Sequence, residues 1–275
     1  MFYNANEKDN IMQEQNIDFL HHNESAWNQQ ATEQNEWSQP VSAELIKEAK
    51  EGKWEVHLTP KPLNKEWLGD VKGKKILCLA SAGGQQAPVL AAAGASVVVY
   101  DISEEQLKQD QKVAERDGLS LKTVQGDMRD LSVFEDESFD LIFHPISNHY
   151  VENVNPVWEE AYRVLKKGGT LLASFFNPVV FVADRNPQDM AEGIIRPKYT
   201  VPYADIKDLS EEQIVKKLKN NEALVFGHSL SDLIGGQLKA GFLMEDFVEE
   251  MQPHPRFLID KYLPTFLATK AVKLE

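Results

Sequence analysis

Residues suited to ligand binding or proton transfer follow four apolar runs of the sequence. They lie at positions 80–86, 101, 127 and 144–148. Continuous apolar runs are typical of strands buried on both faces of a parallel sheet. The carboxyl ends of such strands meet at one edge, where ligands bind near the point at which the strand order reverses. The spacing therefore predicts one ligand site built from four strand ends.

Asp101 directly follows the apolar run 97–100. Its carboxylate could accept hydrogen bonds from both hydroxyls of a ribose, and charge-assisted bonds of this kind are strong. The alternative is a structural role at the start of the helix that Ser103 opens. Because a glycine-containing loop precedes Asp101, we favour the ribose role. We expect Ile102 and Gln106 to lie against the same ligand.

Asp127 stands in a Gly-Asp-Met sequence after the third apolar run. Its carboxylate could accept a hydrogen bond from an adenine amino group while Met128 packs on the ring. The alternative is a turn aspartate that caps residues 128–131. We favour the adenine role, which assigns both carboxylates to a nucleoside.

The loop LASAGGQQAP, residues 79–88, differs from loops that bind a pyrophosphate. Such loops need glycine at three positions of a G-x-G-x-x-G pattern, and Ala80, Ala82 and Gln85 occupy those positions. A ligand without phosphate needs only small residues there, and alanine suffices if its φ stays negative. The loop therefore predicts a cradle for a phosphate-free nucleoside, formed by Ala80, Ser81, Ala82, Gly83, Gly84, Gln85 and Gln86.

His144 and Asn148 are the candidate catalytic residues. They follow the fourth apolar run, and Pro145 fixes the turn that would hold the imidazole at the site. Three roles stay open for His144: a general base, an orienting group and a structural cap. His149 and Tyr150 are expected to pack. A zinc site is not expected, because no close pair of ligands recurs along the chain.

Alternating strand and helix patterns must position these residues. Strands are predicted at 75–79, 97–100, 119–124, 139–143 and 170–175, and helices at 85–93, after Ser103 and at 157–166. This alternation implies an α/β fold with a parallel sheet and helices on both faces. Two later strands, 242–249 and 265–272, lack a crossover helix and should pair antiparallel. We therefore expect a doubly wound sheet, mostly parallel, with one antiparallel strand.

Four segments together resemble the class I S-adenosylmethionine-dependent methyltransferases. They are ILCLASAGGQQAPVLAAAGASVVVYDIS, QGDMRD, SFDLIFHPISNHYVENV and EAYRVLKKGGTLLASFFNP, and they span residues 71–178 in the family's order. The cluster LCLAS-x-GGQQ-x-P resembles an uncharacterised bacterial branch. The resemblance implies a Rossmann-like sheet of order 3-2-1-4-5-7-6. It also implies S-adenosylmethionine as cofactor, S-adenosylhomocysteine as product, and a methyl-transfer centre near His144, Pro145 and Asn148.

Cys78 departs from the pattern of that family. An acidic residue often stands at this position, where it orders the loop and meets the methionine amino group. Another group must therefore neutralise the ammonium here. Backbone carbonyls near Ala80 and His144 are candidates, as are side chains of the N-terminal arm.

The chain divides into an arm and a main domain. Residues 1–70 are expected to form an N-terminal helical arm or lid, with helices at 26–37 and 41–50, and residues 71–275 the methyltransferase domain. An insertion at 179–228 is expected to cap the substrate. The residues considered for sealing or substrate selection are Trp27, Trp37, Arg185, Arg196, Tyr199, Tyr203 and His228.

Composition excludes several classes of function. The 275 residues carry a net charge of −14, which disfavours a nucleic-acid substrate. One cysteine allows no intramolecular disulfide. The chain has no apolar run of membrane-spanning length, so we expect a cytoplasmic protein without a membrane partner. Composition gives no information on the oligomeric state or on the identity of the acceptor.

These observations favour methyl transfer to a small-molecule acceptor by in-line displacement. Two alternatives stay open. A non-catalytic binder of S-adenosylmethionine or S-adenosylhomocysteine is consistent with the change at Cys78. A nicotinamide-dependent oxidoreductase would share the role of Asp101, but the glycines that hold its phosphates are missing.

Overall fold

A seven-stranded sheet forms the centre of the protein. The computed structural model describes residues 18–35, 38–183 and 186–274. The strands are β1 (Lys75–Leu79), β2 (Ser96–Asp101), β3 (Leu121–Gln125), β4 (Phe139–His144), β5 (Leu165–Phe176), β6 (Tyr203–Ala204), β7 (Phe226–Gly227), β8 (Leu243–Glu250) and β9 (Phe266–Val272). β6 and β7 pair only with each other.

The strand order of the large sheet is β3-β2-β1-β4-β5-β9-β8. β1 to β5 are parallel, whereas β9 runs antiparallel to β5 and to β8. Counted within this sheet alone, the order is 3-2-1-4-5-7-6. The predicted α/β, Rossmann-like architecture with one antiparallel strand is therefore confirmed. The order reverses between β1 and β4, so their carboxyl ends border the expected ligand crevice.

Helices cover both faces of the sheet. They are α1 (Phe19–Thr32), α2 (Ala43–Lys50), α3 (Lys65–Leu68), α4 (Gln86–Ala92), α5 (Glu104–Asp117), α6 (Asn155–Val164), α7 (Pro187–Ala191), α8 (Asp205–Asp208), α9 (Glu211–Lys219), α10 (Leu230–Leu233) and α11 (Gly235–Ala240). Neighbouring residues of β1 point to opposite faces: Leu77 packs in the core under α6, and Ile76 packs in the core under α2, α4 and α5.

The first helix begins and ends earlier than predicted. The sequence pattern predicts a helix at 26–37, whereas α1 spans Phe19–Thr32. The reason is Asp18, whose side chain accepts a hydrogen bond from the backbone N–H of His21 at 3.1 Å and caps the helix. Positions 36 and 37, including the predicted anchor Trp37, lie outside the described residues.

β5 also begins earlier than predicted. It starts at Leu165, directly after α6, because Leu165 pairs with Phe139 before the register shifts. Gly168 follows in this irregular stretch with a φ of 74°. Gly168 and Gly169, which lie between the predicted helix and the predicted strand, therefore belong to β5, where glycine allows the local bulge.

Candidate functional site

A cavity of about 780 Å³ opens at the carboxyl edge of the sheet. Its walls come from the strand ends, from α1 and from two connecting segments, 57–60 and 252–256. Cavities of this size hold cofactors and small molecules. The predicted site residues that line it are Ala80, Ser81, Ala82, Gln85, Gln86, Asp101, Ile102, Gln106, Asp127, Met128 and Pro145. The predicted residues that do not line it are Gly83, Gly84, His144 and Asn148.

The loop after β1 passes through left-handed backbone at two alanines. φ is 46° at Ala80 and 64° at Ala82, so the expectation of negative φ was wrong. Both positions correspond to glycines in the usual pattern, and the backbone keeps the conformation of a glycine loop. This conformation costs an L-residue roughly 1–2 kcal/mol. The rest of the structure must therefore hold the loop in place.

Two neighbours hold the loop from behind the cavity. A Cβ at Gly83 would lie 2.4 Å from the backbone oxygen of Gln106, so only glycine permits this approach to α5. The carbonyl of Gly84 accepts a hydrogen bond from the N–H of Val41 at 2.8 Å. Gly83 and Gly84 therefore shape the loop without facing the cavity.

Glutamine side chains join the N-terminal arm to the cavity wall. Gln86 Oε1 accepts from the N–H of His57 at 2.8 Å. Gln106 Nε2 donates to Ser38 Oγ at 2.7 Å. Gln106 Oε1 is buried and has no partner within the described part of the chain. This oxygen lies next to Gly83, so it belongs to the contact between α5 and the loop.

Asp110 is a buried acid that the sequence analysis missed. It lies on α5, and its Oδ1 accepts from the N–H of Gly84 at 2.9 Å. Burial raises the pKa of Asp110 well above its usual range. Burial and the Asp110 charge also raise the pKa of the Cys78 thiol. An acid therefore supports the loop from a helix, although Cys78 replaces the acid expected at the end of β1. The available signal was the helical spacing that places Asp110 on the buried face of α5 with Leu107 and Ala114.

Asp101 lies at the cavity wall with only 9% of its surface exposed. Its Oδ1 accepts from the N–H of Ser103 at 2.8 Å. Burial raises the pKa of Asp101 to about 6, opposed by the backbone hydrogen bonds of Ser103 and Ile102. The residue therefore supports the start of α5, as its structural interpretation requires, and also faces the cavity.

Asp127 lines the cavity but is paired with a neighbouring arginine. Its Oδ2 accepts from Arg129 Nη2 at 2.6 Å and from Nε at 2.8 Å. Its Oδ1 accepts from the Arg129 backbone N–H at 2.9 Å. The structure thus contains the turn interaction that we considered as the alternative. Met128, the residue after Asp127, is buried and lines the same cavity.

His144 and Asn148 lie behind the cavity wall. His144 Nδ1 donates to the carbonyl of Leu79 at 2.9 Å, and its ring packs edge-on against Trp158 with centroids 5.9 Å apart. Burial lowers the pKa of His144 to about 4, so the imidazole is neutral at pH 7. Asn148 Nδ2 donates to the carbonyl of Ser174 at 3.1 Å. These bonds tie the end of β4 to β1 and β5, and they do not bring the two predicted catalytic residues to the cavity.

Three aromatic side chains instead occupy the wall near Pro145. They belong to Trp27, His149 and Tyr150. The ring centroids of His149 and Tyr150 are 3.9 Å apart, and those of Trp27 and Tyr150 are 5.1 Å apart. Packing was expected for His149, and its ring packs on those of Tyr150 and Phe176. The structure adds that His149, in a 3-10 turn over Asn148–Tyr150, lines the cavity.

The 179–228 insertion does not reach the large cavity in its described part. Val180, Phe181 and Val225 instead line a neighbouring cavity of about 160 Å³. The insertion also holds α1, because Asn23 exchanges hydrogen bonds with the backbone of Leu224 at 2.8 and 3.0 Å. The large cavity is therefore covered by α1, 57–60 and 252–256, and the described part of the insertion lines the neighbouring cavity. That the insertion caps the substrate stays a prediction.

Residues of the insertion that were considered for substrate selection have structural partners. Arg196 pairs with Asp189 at 2.9 Å, and the Tyr199 ring packs on that of Tyr203. His228 Nε2 donates to the carbonyl of Asn148 at 3.0 Å. Arg185 lies outside the described residues.

Neither a metal site nor a membrane-spanning helix is found among the described residues. No group of three or more histidine, cysteine or carboxylate side chains in the described part of the chain could hold a metal ion. Among the same residues, no helix has both the length and the apolar character needed to span a bilayer.

Comparisons with known proteins agree with this fold and this cavity. A family profile described as a methyltransferase domain matches residues 77–173. The uncharacterized methyltransferase YbaJ of Bacillus subtilis (strain 168) is 51% identical over 254 residues, 92% of this chain and 98% of that protein. The demethylmenaquinone methyltransferase of Clavibacter sepedonicus is 35% identical over 110 residues, 40% of this chain and 44% of that protein.

A solved structure supports the fold independently. The S-adenosylmethionine-dependent methyltransferase from Mesorhizobium loti superposes with a TM-score of 0.59 at 20% identity, over 76% of this chain and 94% of that one. The 51% identity to YbaJ over most of both chains identifies the protein as a member of the class I S-adenosylmethionine-dependent methyltransferases, and the likeness to the solved structure agrees with the fold. It is an S-adenosylmethionine-dependent methyltransferase.

Proposed function

We propose that the protein transfers a methyl group from S-adenosylmethionine to a small organic acceptor. The observation that carries this proposal is a buried carboxylate, Asp101, on the wall of a cavity of about 780 Å³ at the strand edge. The volume suits a nucleoside cofactor and a small second ligand. The Clavibacter relative is named for an organic acceptor, demethylmenaquinone, which supports an organic molecule rather than a macromolecule as the acceptor.

The residues at the nucleoside end fit the cofactor. Asp101 would accept hydrogen bonds from the ribose hydroxyls, and Met128 would pack on the adenine, whose amino group Asp127 would bind with a lone pair not used by Arg129. The Ala80–Gln86 loop would pass beneath the methionine portion. The indole of Trp27, which lines the cavity, would close the site from the side of α1.

The sulfonium supplies an activated methyl group: an acceptor lone pair bonds to the methyl carbon as the carbon–sulfur bond breaks, its electrons returning to sulfur. The chain's own contribution is to align the acceptor, and positioning of this kind is worth about 7–11 kcal/mol of a barrier. His144 and Asn148 act as positioning residues through the ends of β1 and β5. His149, which lines the cavity, is the imidazole that would contact the acceptor.

The proposal is tested by titrating S-adenosylhomocysteine into the wild type, Asp101→Asn and Glu115→Ala. Loss of the charged acceptor should weaken binding by Asp101→Asn at least tenfold. Glu115, an exposed acid on the same α5, serves as the matched control and should leave the affinity unchanged. Equal affinity for all three proteins would remove the ribose assignment.

Two rival functions are separated by simple measurements. Formation of S-adenosylhomocysteine from S-adenosylmethionine in the presence of a metabolite extract would exclude a non-catalytic binder. A nicotinamide-dependent oxidoreductase predicts saturable fluorescence changes on titration with NADH, whereas our proposal predicts none.

A further inference from the structure

The two ends of the large cavity are far apart across the sheet. Asp101 ends β2, whereas Phe176 ends β5 and lines the same cavity. Three strand spacings separate β2 from β5 in the observed order. At about 4.8 Å for each spacing, the ends lie roughly 14 Å apart. With the nucleoside at Asp101, the end near Phe176 is left for the acceptor.

The charged groups divide between these two ends. Asp101 and Asp127 are the carboxylates that line the large cavity within the described residues, and both follow β2 or β3. The end near β5 carries Arg256 and the imidazoles of His149 and His254. The Arg256 guanidinium gives this end a positive charge, although the chain as a whole has a net charge of −14.

The connector 57–60 belongs to the same end. Ser174 Oγ of β5 donates to the carbonyl of Leu58. Thr59 Oγ1 donates to Glu250 Oε2 at 2.6 Å. Glu250 does not line the cavity, so this carboxylate holds the connector and adds no anionic surface to the wall.

Arg256 is placed to bind an anion. Its guanidinium carbon lies 5.9 Å from the ring centroids of both Phe176 and Phe257. Within the described part of the chain it forms no ion pair, and stacking on aromatic rings holds a guanidinium ready for a carboxylate or similar oxyanion. The nearest acid of the segment, Asp260, accepts from the backbone N–H groups of Arg256 and Phe257 at 2.9 and 2.8 Å.

A smaller cavity adjoins this arginine. It measures about 160 Å³, and Arg256, His149, Tyr150 and Phe176 line both it and the large cavity. Val180, Phe181, Val225 and Phe257 give it apolar surface, and Asp260 and Thr265 complete its wall. The Asp260 carboxylate is already held by two backbone N–H groups. An apolar cavity of about 150 Å³ accommodates a benzene ring. A phenyl-sized group therefore fits beside the guanidinium.

Resting on the proposed function, we propose that the acceptor is an amphiphilic acid. Its anionic group binds Arg256, and its apolar body occupies the cavity of about 160 Å³ against Phe181 and Val180. His254, which lines the large cavity beside Arg256, adds a hydrogen-bond donor for the same oxyanion. A neutral molecule of the same shape would leave the Arg256 guanidinium on its aromatic rings without an anion to bind.

The test compares arylalkanoic acids with their amides, which have nearly the same shape but no charge. Phenylacetate and 3-phenylpropanoate, each with its amide, are titrated into the full-length protein with and without saturating S-adenosylhomocysteine. The wild type should bind at least one acid about tenfold more tightly than its amide. Arg256→Gln should reduce that ratio to nearly one, and Arg256→Lys should keep part of it.

Lys261→Gln is the matched control, since Lys261 is an exposed cation of the same segment that lines neither cavity. It should keep the wild-type ratio. Absence of any preference for acids in the wild type, or an unchanged ratio in Arg256→Gln, would overturn the inference. The S-adenosylhomocysteine titration reports separately on the proposed function, because its ligand binds at the other end of the cavity. A protein that binds this nucleoside but not the acids contradicts only the acceptor class.

Discussion

Asp101 and Asp110 are both buried, and burial raises the pKa of each carboxyl group. Asp101 has a pKa of about 6 in the folded protein, above its value of about 3.9 in an unfolded chain. The protonated group therefore contributes stability below about pH 4, and this contribution is lost as the pH rises through 6. Ionised Asp101, the form that would accept hydrogen bonds from a ribose, is therefore the form that lowers the stability of the ligand-free protein.

The raised pKa of Asp101 predicts how cofactor binding depends on pH. Ribose hydroxyl groups donate hydrogen bonds, so they bind best to ionised Asp101, which becomes scarce below pH 6. The affinity for S-adenosylhomocysteine should be about tenfold weaker at pH 5 than at pH 7. Titration calorimetry at both pH values measures this ratio. Asp101→Asn should show a much smaller ratio, and an equally large one in that variant would assign the effect to another group.

Asp110 predicts a different result for its two simplest variants. Asp110→Asn keeps an oxygen for the N–H of Gly84 and removes a buried charge, so the free energy of unfolding at pH 8 should be at least that of the wild type. Asp110→Ala leaves the Gly84 N–H without its partner and should lower that free energy by about 1–3 kcal/mol. Urea unfolding measures both. A large loss in Asp110→Asn would show that the negative charge itself supports the loop.

At the scale of elements, strands were more predictable than the ends of helices. Apolar runs located β1, β2 and β4 within one or two residues, because burial on both faces dictates the composition of a central strand. Asp101 and the Ala80–Gln86 loop therefore lie side by side at the carboxyl edge of the sheet, as expected. The directions of single side chains were not predictable. His144 is hydrogen-bonded to the carbonyl of Leu79 and packs on Trp158. His149 lies in a 3-10 turn and lines the cavity.

The joint between α1 and the insertion makes a prediction of its own. Asn23 is buried and donates to the carbonyls of Leu224 and Tyr150 while accepting from the N–H of Leu224. Asn23→Ala would leave these backbone groups without partners and should cost about 2–4 kcal/mol in the free energy of unfolding. Hydrogen exchange at the Leu224 N–H should accelerate. Thr32→Ala, at an exposed position of the same helix whose hydroxyl donates to the Asn28 carbonyl within α1, should change stability by less than about 0.5 kcal/mol. Unchanged exchange in Asn23→Ala would mean that other contacts hold α1.

At the scale of the whole molecule, the N-terminal arm and the sheet share one hydrophobic core. Ile46, Val56 and Leu58 of the arm are buried with Leu90 of α4 and Leu141 of β4. The arm also supplies part of the cavity wall through α1 and the 57–60 segment. The division at residue 70 therefore marks a change of sequence pattern, while the packing continues across it.

A shared core predicts that the arm and the sheet unfold together. Ile46→Ala should lower the free energy of unfolding by about 2–5 kcal/mol, because it opens a cavity in that core. Far-UV circular dichroism and tryptophan fluorescence should still report one coincident transition. Two separated transitions would show that the arm folds as an independent unit.

The central claim is that the strand edge holds S-adenosylmethionine at Asp101, and a crystal structure with S-adenosylhomocysteine tests it most directly. Our account predicts density in the cavity of about 780 Å³, with the ribose hydroxyls within hydrogen-bond distance of the Asp101 carboxylate and the thioether directed toward the Arg256 end. A nucleoside bound elsewhere, or a cavity that stays closed at saturating ligand, would contradict the account.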